Sequence, residues 1–168
     1  MLDHITPGLI NEHAVEAFLY GGCAALALAI HDATGWPITA VIAEDGLELH
    51  YAISHFDGLL IDILGARTED DVLLTYEFHA DGGAVRLTDA TAADIEAWHQ
   101  NYGETVPMHV AQSFVPTVLN QAHVRWRALS EARSWGAAIS GPDTASAAAL
   151  GQTTERRQFR LNGSIPKH

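Results

Sequence analysis

The sequence predicts an α+β fold in which N-terminal helices, one of them central and buried, pack on an antiparallel β-meander, with further helices toward the C-terminus. Three observations carry this. Apolar side chains fall at helical spacing before residue 34, short β-type runs separated by turn pairs fill residues 38–64, and helical spacing returns after residue 91. At 168 residues the chain suits a single domain, placed at residues 1–134. Residues 135–168 form an Ala-, Gly- and Thr-rich extension without a strong period, expected to pack back on the domain or to cover a cleft.

The first helix is expected over residues 7–20, with Thr6 as cap, Pro7 at the first helical position, and Leu9, Ile10, Val15, Phe18 and Leu19 near helical spacing. Gly21-Gly22 stops it. A second helix over residues 23–33 is apolar nearly all round through Leu26, Leu28 and Ile30, which makes it the buried one; Thr34-Gly35-Trp36-Pro37 ends it. Strands follow at 38–43, 47–54 and 59–64, divided by Asp45-Gly46 and by Phe56-Asp57-Gly58. Residues 71–78 and 84–87, on either side of Asp81-Gly82-Gly83, are expected to add a hairpin to the same sheet. A helix over 91–102 has Thr88 or Thr91 as its cap, and a longer one spans 106–132, with Pro116 as the point where it would break.

An apolar fraction of 48% and a charged fraction of 18% are those of a soluble globular protein, and no apolar run reaches the roughly 20 residues of a membrane span. The start Met1-Leu2-Asp3-His4 shows no basic region before an apolar core, so a cytoplasmic location and no membrane partner are expected. The formal net charge is −12; nine carboxylates and no Lys or Arg precede Arg67. Such a field disfavours nucleic acid and favours a neutral or basic protein or peptide partner, although solubility alone explains it equally well. Arg156, Arg157, Arg160 and Lys167 concentrate positive charge in the tail, which is expected to fold back on the acidic surface or to form an arm.

Cys23 is the single cysteine, so it forms no internal disulfide, and it sits at the head of the buried helix directly after Gly21-Gly22. A helix start leaves N–H groups unpaired and carries partial positive charge, which stabilises a thiolate, and glycines permit close approach of a substrate carbonyl. Two polar residues interrupt the apolar strands that follow: His50 in Leu49-His50-Tyr51-Ala52-Ile53, and Asp62 in Leu60-Ile61-Asp62-Ile63. Whether they share a face depends on the turn between them, because a shift of one residue turns a strand over. A three-residue Phe56-Asp57-Gly58 loop with Gly58 left-handed pairs Ala52 with Asp62 and sets His50 beside the aspartate. A two-residue Asp57-Gly58 loop gives His55 that place instead. The glycine at the third loop position favours His50.

In order and local context, Gly21-Gly22-Cys23-Ala24-Ala25-Leu26-Ala27, His50-Tyr51-Ala52-Ile53 and Leu60-Ile61-Asp62 resemble the Cys-His-Asp core of the papain-like superfamily, in its transglutaminase-like and bacteriocin-processing branches. The resemblance covers about residues 18–65. It implies Cys23 as nucleophile, His50 as general base and later acid, and Asp62 as orienter of the imidazole. It also implies an oxyanion site around the Cys23 N–H and Gly22. The glutamine that papain-type enzymes carry upstream of the nucleophile is absent, and Tyr20 and Asn11 are the substitutes at hand. The implied activity is that of a thiol enzyme on an amide or isopeptide bond: peptidase, deamidase or acyl transferase. A catalytically degenerate module on the same scaffold, such as a phage or bacterial inhibitor that engages a basic partner through its acidic surface, is the alternative.

Each of these residues taken alone has a commoner explanation in packing: a buried Ala/Leu helix welcomes a cysteine, and strands hold satisfied histidines. Other chemistry finds less support. Ten histidines occur without HExxH or paired spacing, so a metal site rests only on Glu77, His79 and His55. Gly82-Gly83 is a hairpin turn rather than a phosphate loop, and no cofactor is expected. Trp98, Trp126 and Trp135 lie at helical positions that suit core packing.

Overall fold

The computed structural model describes residues 4–80, 83–103 and 105–139, apart from the side chains at 78, 79 and 132–139. The chain divides into two units, Met1–Ser130 and Glu131–His168; of the second, the described part is helical backbone up to residue 139. The tail cluster of basic residues, the indole of Trp135 and the imidazole of His79 lie outside what is described.

Helix α1 spans Glu12–Leu19, five residues later than the expected start. Gly8 takes the left-handed φ of 75°, which interrupts a right-handed helix, and the Leu9 N–H closes a turn on the Thr6 carbonyl instead. Asn11 then caps α1, its Oδ1 accepting from the Ala14 N–H at 2.9 Å. Helix α2, Cys23–Thr34, bends away from α1 by 93° and ends at left-handed Gly35, whose N–H reaches the His31 carbonyl.

Strands β1 (Ile38–Ala43), β2 (Glu48–His55), β3 (Leu59–Asp62) and β4 (Gly65–Thr68) form a meander, and β5 (Val85–Ala90) returns to pair with β1. The sheet is antiparallel throughout, in the order β4-β3-β2-β1-β5. The third strand is shorter than expected: the Leu64 N–H donates to Asp62 Oδ1 at 2.8 Å, left-handed Gly65 follows, and the chain reverses into β4.

Residues 71–78 are helical and not a strand. Helix α3 spans Glu69–His79, capped by Thr68, with Glu69, Asp70 and Asp71 in its first turn, where the helix dipole favours negative charge. Its β-type residues are spaced for burial one helical turn apart, with Val72 and Tyr76 against the sheet. The partner expected for residues 84–87 is thereby removed, and β5 completes the opposite edge of the sheet. Helix α4, Ala92–Tyr102, starts at a Thr91/Asp94 capping box. Helix α5, Met108–Ile139, runs on through Pro116.

Period-two alternation divides the sheet faces. Ile38, Ala40, Ile53 and Ile61 face the core formed with α1, α2, α4 and the first half of α5, while Val41, Ala52 and Leu60 face α3. Among the described residues no single helix is long and apolar enough to cross a membrane.

Candidate active site

The β2–β3 loop is the three-residue one: His55 pairs with Leu59, Gly58 has φ 73°, and Ile53 lies opposite Ile61. That register carries Asp62 to the level of Ala52 on the α3 face, diagonal to His50. The His50 Nε2 is 3.4 Å from Asp62 Oδ2. At Leu49 the β1–β2 pairing shifts by one residue, so a bulge adjoins His50 and re-aims that end of the strand.

Cys23 heads α2 where that helix packs along β2. The His50 side chain and the N–H groups of Tyr51 and Ala24 act on its sulfur. Burial works against a thiolate, but the imidazole and those N–H groups outweigh it and hold the Cys23 pKa below the ordinary thiol value. Burial likewise opposes charge on His50, and Asp62 and Cys23 reverse the balance, raising the imidazole to about 9. The Asp62 carboxyl, pushed up by burial, is brought down further by His50 and Arg67. Neither ring nitrogen of His50 makes an aligned hydrogen bond, so its partners act on it through charge and proximity.

Two residues that sequence reasoning missed complete the cluster. Arg67 on β4 donates from Nη1 to Asp62 Oδ2 at 3.1 Å, and from Nη2 to the Asp71 carbonyl and Thr75 Oγ1 at 2.5 and 2.6 Å. Tyr76 on α3 stacks on His50, ring centroids 4.7 Å apart and planes 20° from parallel. The lone Arg in a short apolar-flanked strand was the available signal for the first; the second was hidden by the strand reading of residues 71–78.

The remaining candidates lie elsewhere or serve the frame. His55 points to the opposite sheet face, packed against Trp36 and Phe56, with Asp57 Oδ2 at 3.7 Å. Asn11 is committed to capping α1 at the end away from the glycine turn, about 12 Å of helix from it. The Gly22 N–H is spent on the Ala17 carbonyl at 2.8 Å, and the space a side chain would need there is held by Val106, whose Cγ2 lies 2.6 Å from the Cβ position. Gly22 therefore serves close packing rather than a substrate carbonyl. Tyr20 follows α1, is 61% exposed, and lies within electrostatic reach of Tyr76, at the rim of the cluster.

Cys23, His50 and Asp62 are 4%, 1% and 3% exposed. An apolar cavity of about 350 Å³ opens elsewhere, lined by Trp36, His55, Phe56, Leu119, His123 and Trp126 among others, at the C-terminal end of α2. The Trp126 indole donates to Asp57 beside it. Among the described residues no three His, Cys, Asp or Glu side chains gather as a metal site. No family model, curated protein or solved structure matches the chain.

Proposed function

We propose that the chain is a papain-like thiol enzyme acting on an amide or isopeptide bond through Cys23, His50 and Asp62. The observation that carries this reading is the convergence of the three on one end of β2, with charges that favour a thiolate beside an imidazolium. The Cys23 sulfur attacks the carbonyl carbon, and the oxyanion forms at the helix start, where the Cys23 N–H has no acceptor within α2. His50 gives its proton to the departing amine, leaving a thioester on Cys23. Water or a second amine, deprotonated by His50, then releases the acyl group, as hydrolysis or as acyl transfer. Asp62 faces Nε2, which leaves Nδ1 for the thiol. The acidic N-terminal half favours neutral or basic protein or peptide substrates.

Iodoacetamide labelling over a pH series tests this. Cys23 is expected to alkylate at neutral pH with an acid midpoint below the ordinary thiol value; Cys23→Ala abolishes labelling, and His50→Ala returns the midpoint upward. A thiol inert at neutral pH overturns the reading. The near-complete burial of the cluster favours a second one, a degenerate papain-like binding module that engages a basic partner. Salt-sensitive binding unchanged in Cys23→Ala would support it.

A further inference from the structure

Arg67 is 7% exposed, and its guanidinium spans two elements. One arm meets Asp62 Oδ2, the oxygen that also faces His50; the other is held on α3 by the Asp71 carbonyl and the Thr75 hydroxyl, which itself donates to that carbonyl at 2.9 Å. The Leu64 N–H occupies the other carboxylate oxygen. Asp62 is thus fixed from both oxygens, and its orientation toward the imidazole depends on an arginine anchored outside the triad. A bare structural ion pair would not need to share the oxygen that orients the base.

We infer that Arg67 is a positioning residue of the thiol site, which holds Asp62 in register with His50 and sets the ionisation of the Cys23–His50 pair from an anchor on α3. This rests on the thiol-enzyme reading above. The charged and titratable groups around His50 come from every element packed on it: Cys23 from α2, Asp62 from β3, Arg67 from β4 and Tyr76 from α3, with Tyr20 beside Tyr76. Arg67 is the one fixed cation among them. Removing it acts on Cys23 through Asp62: a released carboxylate holds the imidazolium less well, and the imidazolium then supports the thiolate less well.

The test is a titration of the thiolate by its ultraviolet absorbance in the full chain, with Cys23→Ala as blank, so that access to the buried sulfur does not matter. Arg67→Met is expected to move the Cys23 midpoint up by about one pH unit, a tenfold loss of thiolate below it. Arg67→Lys keeps the charge without the fork and is expected to move it part of the way; Thr75→Val, which loosens only the α3 anchor, shifts it in the same direction and keeps the test open should Arg67→Met fail to fold. Arg67 and Thr75 variants that fold and titrate like the wild type overturn the inference while leaving the thiol-enzyme reading intact. A wild-type thiol that titrates in the ordinary range overturns that reading, and this inference with it.

Discussion

At the scale of single residues, the buried Asp62 carboxylate serves two cations, His50 and Arg67. Pairs of this kind contribute little net stability compared with apolar residues of the same size, yet removing one partner leaves the other charged, buried and uncompensated. Asp62→Ala is therefore expected to destabilise the fold by about 3–5 kcal/mol, and Asp62→Ala with Arg67→Met to recover part of that loss. Urea unfolding of the two single variants and the double variant measures the coupling; strict additivity would refute it. The same scale explains why His55 is no base. Its neighbours Trp36 and Phe56 hold it on the far face of β2, and the left-handed Gly58 that places Asp62 beside His50 excludes the register in which His55 would replace it.

At the scale of elements, the start of α2 depends on a glycine for a steric reason. Gly22 has an ordinary φ of −85°, so its backbone carries no strain; what forbids a side chain is the approach of Val106, the Ala17 carbonyl and the Phe18 ring. Gly22→Ala is expected to cost about 1–3 kcal/mol, as overpacking does, and to be relieved only partly by Val106→Ala because the other two contacts remain. Thermal unfolding of the pair checks this. Helix α3 is the element where local pattern misled. Val72, Thr75 and Tyr76 have β-type side chains, against which the Thr68 cap, the three acids behind it and the helix formers Leu73, Leu74 and Glu77 spoke for a helix. Burial of Val72 and Tyr76 against one sheet face decided the matter, and it put Tyr76 over His50.

At the scale of the whole molecule, the pH dependence of stability follows from opposed shifts. His50, raised from 6.5 to about 9, contributes stability that is whole below 6.5 and lost as pH rises through about 9. Cys23, lowered from 9.0, contributes stability that is whole above 9.0 and lost as pH falls through its folded value. Where the two windows overlap below about 9 the slopes oppose each other, so stability is expected to change less with pH there than either group alone would make it. Cys23→Ala removes the rising slope of the thiolate, so the variant is expected to lose stability relative to the wild type as pH rises toward 9. Urea midpoints at pH 6.5 and 9 for both proteins decide it, and parallel profiles would count against a coupled pair.

Much of the site is legible locally, and for a physical reason. The left-handed glycine fixes the loop length, loop length fixes the β2–β3 register, and the two-residue period of strands then fixes which side chains share a face. The sequence by itself determined that His50 and Asp62 would be neighbours, that Cys23 would open the buried helix, and that the fold would be α+β around an antiparallel meander. Tertiary structure alone decided the rest: that α3 is a helix, that β5 pairs with β1, that Arg67 and Tyr76 enclose the pair, and that the cluster is buried. Those outcomes depend on which surfaces distant segments cover, and burial of that kind has no signature in the spacing of neighbouring residues.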